Sequence, residues 1–143
     1  MGMIDVGAKP VIKREAEAGG VIHLRAETVA VIRRGEVRKG DPLPVAEVAG
    51  MTAAKQTHLL VPHCHQLLLE TVSVRFDVKD RSVEARCLVR AEAKTGVEME
   101  ALVGVAMALN TIWDMVKYLE KDPQGQYPET RIDDIRVLWK KKG

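Results

Sequence analysis

Asp114 and Lys117 stand three residues apart in a run from Val97 to Lys121 that is rich in good helix formers and contains no proline. On a helix, positions three apart lie about 60° apart around the axis, so this carboxylate and this ammonium can touch and trade a proton. The same spacing by itself more often marks an exposed ion pair. Asn110 and Met107 continue the stripe back from Asp114. Glu100 lies roughly 40° around the axis from Asp114 but about 21 Å along it, so the two carboxylates cannot grip one small atom. A site using both needs an extended substrate or a second chain.

Other residues of chemical interest are scattered along the chain. Lys39 sits in a glycine-containing loop and Lys55 on a helical segment, positions from which ammonium groups can reach phosphate oxygens, although solvated lysine is the commoner fate. No Gly-x-x-x-x-Gly-Lys-Ser/Thr phosphate loop is present. His63-Cys64-His65 follows Pro62 and gathers three groups able to carry protons or bind metal. On an extended segment alternate side chains point to opposite sides, and no second ligand cluster accompanies them, so imidazole as hydrogen-bond donor or proton carrier is the preferred reading and no metal site is assigned. Glu98, three residues after Thr95, can close a capping box or bind a ligand; Met99 beside it is equally an adaptable core filler.

These residues must be held by a small single domain spanning 1–143. Apolar residues make up 46% of the chain and charged residues 29%, a globular balance. The formal charge is only +2, so attraction to phosphate must come from local placement of Lys and Arg. No run of about 18 consecutive apolar residues occurs, and the expected setting is soluble and cytoplasmic, with no membrane partner. Cys64 and Cys87, with 22 residues between them, are expected to be reduced.

The spacing predicts a short helix over Glu27–Arg34 ended by Gly35, and a second from Asp41-Pro42 to about Leu60. Val72, Val74, Phe76 and Val78 alternate, as do Val83 through Ala91, which predicts two strands joined at Lys79–Ser82 as a hairpin. The long helix would cover the sheet with Leu102, Ala106, Leu109, Trp113 and Val116. Ile132, Ile135, Val137 and Trp139 predict a final strand. The expected class is α+β, a sheet covered on one face by helices.

Taken in order, Met3-Ile4-Asp5-Val6 with Ala8-Lys9, Lys39-Gly40-Asp41, Ala49-Gly50 with Ala53-Ala54-Lys55, Pro62 with Cys64-His65, Thr95 to Leu102, and Asp114-Met115 with Lys117 make the chain resemble the cyclic pyranopterin monophosphate synthase family, accessory protein C of molybdenum cofactor biosynthesis, over nearly its full length. The resemblance implies a ferredoxin-like antiparallel sheet, a homohexamer built as a trimer of dimers, and sites shared between subunits. It implies a lyase that converts the cyclised dihydroguanosine triphosphate to cyclic pyranopterin monophosphate and releases pyrophosphate. Carried over by position, Asp114, Lys117 and Lys39 are implied to be catalytic. His63, Cys64, His65, Met99, Glu100, Glu98, Lys55 and Arg14 are implied to bind substrate.

No cofactor is required by the sequence; magnesium can accompany the triphosphate. The chain departs from the family pattern at Gln66, in a longer loop from Pro123 to Pro128, and in lacking a Ser-Gly-Gly-rich tail, where Lys140, Lys141 and Lys142 stand instead. The alternative is a non-catalytic nucleotide- or RNA-binding module on the same sheet. Only 3% of residues are aromatic, and Phe76 has no aromatic neighbour to form a base-stacking platform, so no nucleic-acid partner is expected.

Overall fold

The computed structural model describes all residues, Met1–Gly143. Four strands, β1 (Ile12–His23), β2 (Thr71–Val78), β3 (Ser82–Ala93) and β4 (Arg131–Lys142), form one sheet in the order β2-β3-β1-β4. Every neighbouring pair is antiparallel. Helices α1 (Ala26–Arg34), α2 (Pro42–Lys55) and the single-turn α3 (Thr57–Leu60) link β1 to β2, and α4 (Glu98–Glu120) links β3 to β4. Two crossovers that each skip one strand give the expected ferredoxin-like α+β fold.

The central strand β1 is the element that the hydrophobic pattern does not announce. Its helix-facing positions are Ala16, Ala18, Gly20 and Ile22, too small to register as an apolar alternation. Their smallness has a structural cause. A Cβ placed on Gly20 would come within 2.9 Å of Leu109 Cδ1 and 3.0 Å of Val105 Cγ1, so glycine there lets α4 lie down on the sheet. Likewise a Cβ on Gly104 would meet Cys87 Sγ at 2.6 Å, and one on Gly50 would meet the Gly104 carbonyl oxygen at 2.8 Å. Sheet, α4 and α2 therefore stack with almost no side chain between them at this point.

The buried face of α4 is Ala101, Val105, Ala108, Leu109, Ile112 and Val116, offset from the stripe the sequence predicts. Leu102, Ala106 and Trp113 sit only half-buried at its edges. Each fully buried branched side chain on this face contributes about 1.5–3 kcal/mol. By length and composition α4 could cross a membrane, with mean hydropathy 1.3, but half of that window is buried within the fold.

Local signals explain the helix ends. Asp41 caps α2 by accepting from the Leu43 N–H at 3.1 Å, with Pro42 in the first turn. Gly35, at φ 69°, closes α1 in left-handed geometry. The predicted single helix to Leu60 is instead broken at Gln56, where the Thr57 hydroxyl donates to the Ala54 carbonyl at 2.8 Å. The start of α1 is capped from a distance. Glu120, 1% exposed at the end of α4, accepts from the Arg25 N–H at 3.1 and 3.3 Å and from the Thr130 hydroxyl at 2.7 Å, and it also accepts from the Thr28 hydroxyl.

The face of the sheet away from the helices carries paired charges: Glu15 with Arg90 and Glu17 with Arg75, both at 3.1 Å. Phe76 points the other way and packs, partly buried, against the helix-covered core.

Candidate active site

The last two turns of α4 and the loop before α2 build one half of the site. Lys39, three residues ahead of Pro42, places its Nζ 3.0 Å from Asp114 Oδ2 and 3.3 Å from the Asp114 carbonyl oxygen. Lys117 Nζ lies 3.1 Å from Asp114 Oδ1. Each carboxylate oxygen thus has its own ammonium. Asp114 keeps 58% of its side chain exposed and the lysines 48% and 42%, so the trio faces solvent rather than the core. Hydrogen bonds from Lys39 and then Lys117, reinforced by their charges, hold the Asp114 carboxyl below the usual aspartate range. It is ionised at neutral pH. Beside it a shallow groove is lined by Asn110, Trp113, Asp114, Lys117 and Ile132. Trp113 is braced by Tyr127, edge to face at a centroid separation of 5.1 Å. Tyr127 belongs to the lengthened loop that the sequence singles out.

The first turn of α4 builds the other half. A pocket of about 460 Å³ is lined by His63, Cys64, His65, Glu98 and Met99, with Thr95 and Gly96 at its base and the N-terminal segment Gly2–Lys9 as a wall. His63 lies in a turn closed by the Cys64 N–H to the Val61 carbonyl at 3.0 Å, not on an extended segment, which is how all three residues of the triplet reach one pocket. Glu98 forms no capping bond; its carboxylate pairs with Lys140 at 3.3 Å. Of the two roles open to Glu98 the capping box is not made, and the C-terminal strand reaches this half through Lys140.

Glu100 sits behind Cys64, 3% exposed, with the Cys64 thiol donating to Oε2 at 3.7 Å and no partner for Oε1. Burial pushes the Glu100 carboxyl above its ordinary range. Burial, and then the neighbouring carboxylate, pushes the Cys64 thiol up to about 11. Cys64 is thus a thiol, not a thiolate nucleophile, at neutral pH. An unmatched buried oxygen is costly, and a substrate N–H or O–H brought to it would relieve that cost.

Lys55 and Arg14 fare differently from the rest. Because Lys39 puts the start of α2 beside Asp114 while Gly50 touches Gly104, α2 runs antiparallel to α4, and Lys55 is carried toward the His63 half. It is exposed there and in no ion pair. Arg14 is 6% exposed, and its guanidinium donates to the carbonyls of Ala93 at 3.3 Å and Lys94 at 3.2 Å. Arg14 lines neither cavity; from β1 it holds the end of β3 and the start of the loop before α4. Asp5, Lys9, Asn110 and Trp113 line the cavities although sequence reasoning gave them no site role. For Asp5 and Lys9 the family-like segment at the N-terminus was the available signal.

The two halves share no lining residue. Met99 and Asp114 stand fifteen positions apart on α4, about 22 Å along the axis. No group of three or more His, Cys, Asp or Glu side chains is arranged to hold a metal.

A model of the MoaC family matches residues 3–143. Over 140 residues the chain is 52% identical to the probable cyclic pyranopterin monophosphate synthase accessory protein of Methanothermobacter thermautotrophicus, a match covering 98% of this chain and 88% of that one. It is 52% identical over 141 residues to the probable cyclic pyranopterin monophosphate synthase of Thermococcus kodakarensis, covering 99% and 90%. With the protein of the same name from Methanocorpusculum labreanum the identity is 54% over 141 residues, covering 99% and 89%.

Proposed function

The chain belongs to the MoaC family, and from that premise we propose that it is a lyase of molybdenum cofactor biosynthesis that converts cyclised dihydroguanosine triphosphate (3',8-cyclo-7,8-dihydro-GTP) to cyclic pyranopterin monophosphate and pyrophosphate. The observation that carries this reading is the Asp114 carboxylate held between two ammonium groups from separate elements, at 3.0 and 3.1 Å.

The chemistry has two demands. Opening and reclosing the purine-derived rings moves protons, and closing the cyclic phosphate forms a bond from a sugar oxygen to the α-phosphorus while the bond to pyrophosphate breaks. Asp114, ionised and exposed, is the group able to take a proton from the attacking hydroxyl. Lys39 and Lys117 are placed to meet the negative charge that gathers on the phosphates. His65 and His63 provide imidazoles at the other half, where the Cys64 thiol and the Glu100 carboxyl behind it add polar groups for the ring system. Asp114 is the only carboxylate lining its groove and is already paired by both lysines, so magnesium enters here as a companion of the triphosphate.

Because one chain holds the halves about 22 Å apart, the reading has a neighbouring subunit of a homohexamer, a trimer of dimers, bring its His63–His65 half to this chain's Asp114 half. The setting is the cytoplasm. The direct test is to give the purified protein the cyclised dihydro-GTP and to follow pyrophosphate and pterin formation together. Absence of turnover above background would overturn the assignment.

A further inference from the structure

We propose that Tyr118 is a positioning residue of the Asp114 half: it clamps the backbone of Arg38 to α4 and so fixes where the next residue, Lys39, meets Asp114. Its phenol oxygen accepts the Arg38 N–H at 2.8 Å, and the Arg38 guanidinium lies over its ring, 4.6 Å from the centroid. The inference rests on the reading that gives Lys39 a part in the reaction.

The loop needs such a clamp. Between α1 and α2 the chain passes through Gly35 at φ 69° and Gly40 at φ 105°, two left-handed positions that leave the segment between them few regular hydrogen bonds. Val37 anchors it by burial, and the Gly40 N–H reaches the Val37 carbonyl at 3.0 Å, but both hold the loop to itself and the core rather than to the site. Its hydrogen bonds to α4 are those of Arg38 and Lys39.

Lys39 is an exposed lysine on a four-carbon stem with large rotamer freedom. Fixing its Cα removes one source of that freedom. Tyr118 follows Asp114 by four residues, one turn along the same side of α4, so clamp and target sit on one rigid element. A shift of the loop would pull the ammonium from the carboxylate without altering either residue.

Tyr118→Phe keeps the ring and the guanidinium stack and removes only the acceptor oxygen, so the assembled protein is expected to fold. The readout is the titration of the Asp114 carboxyl by ¹³C NMR, measured with kcat and KM. In the wild type it titrates below 3.8; in Tyr118→Phe it should move up toward 3.8, with kcat falling about fivefold and KM nearly unchanged. Adding Tyr118→Phe to Lys39→Ala should move the titration no further, since the clamp acts only through that lysine. Tyr118→Ala, which loses the stack as well, should shift it at least as far as Phe. An unmoved Asp114 titration in Tyr118→Phe, whether or not Tm falls, makes the tyrosine merely structural and overturns the proposal. A shifted titration with unchanged kcat leaves the clamp standing and overturns instead the catalytic part given to Lys39.

Discussion

Subunit mixing tests the proposed two-chain site most sharply. Take one variant broken in the Asp114 half, Asp114→Asn, and one broken in the pocket, His65→Ala. Each is expected to be inactive or nearly so. If a working site takes its Asp114 half from one chain and its His65 half from another, random exchange makes each half intact with a chance of about one in two. About one site in four is then intact, and activity should return to about a quarter of wild type. The structure supplies a control. Lys39 and Asp114 touch within one chain at 3.0 Å, so Asp114→Asn mixed with Lys39→Ala leaves every Asp114 half broken and should restore nothing. The assay is pyrophosphate release after the variants are exchanged in mild denaturant and reassembled, with the exchange verified by mass spectrometry. No recovery in the first mixture, with exchange verified, would refute the two-chain site; recovery in the control would refute the geometry of the Lys39–Asp114 pair.

Further outcomes follow from single residues. Asp114→Asn should lower kcat by about 10²–10⁴-fold while leaving Tm and assembly unchanged, because the side chain is exposed; near-normal kcat would remove it from the reaction. Glu120→Leu leaves the Arg25 N–H and the Thr28 and Thr130 hydroxyls without their acceptor in a buried place, costing about 3–6 kcal/mol in denaturant unfolding; a loss under about 1 kcal/mol would show the latch to be unimportant. Gly104→Ala drives a methyl against Cys87 Sγ and should cost about 1–3 kcal/mol by the same measurement, an unchanged midpoint being the contrary result.

The pH dependence of Glu100 has a defined sign. Its folded carboxyl titrates above the ordinary 4.5, so the native state holds its proton more tightly than the unfolded chain. That stability is fully present below 4.5 and is lost as pH rises through the folded value. Glu100→Gln should therefore gain in Tm relative to wild type as pH climbs from 4 to 8, and a constant difference would contradict the burial argument.

How legible this was from sequence depended on side-chain size. The hairpin β2–β3 and the cap at Asp41 were readable because Val, Phe, Asp and Pro make strong local signals. The strand β1 was not, although it is central, because close approach of α4 demands Ala and Gly where a pattern needs Val or Ile. The same demand displaced the buried stripe of α4: Ala101, Gly104 and Ala108 face inward while larger Leu102 and Trp113 lie at the margin. In the site, helical spacing let Asp114 touch Lys117 but by itself marked only an ion pair, the catalytic reading came from the family resemblance, and the approach of Lys39 depends on a tertiary fold that no local spacing encodes. The two carbonyls that hold the Arg14 guanidinium likewise come from tertiary packing that its place in the sequence does not encode.

Rigidity of α4 connects these points. A site assembled from two chains works only if each chain holds its two halves at a fixed separation, since any bend in the connecting element displaces one half relative to the other. A 23-residue helix without proline, lying against sheet and α2 through Gly104 and Gly50 rather than through long flexible side chains, is such a connector. In the proposed isologous pair the first turn of each helix would serve one site and the last turns the other, so a two-fold axis would yield two equal sites from one repeated contact. On this reading the small residues that hid β1 and shifted the α4 stripe are what hold Asp114 and His65 at the spacing the assembly requires.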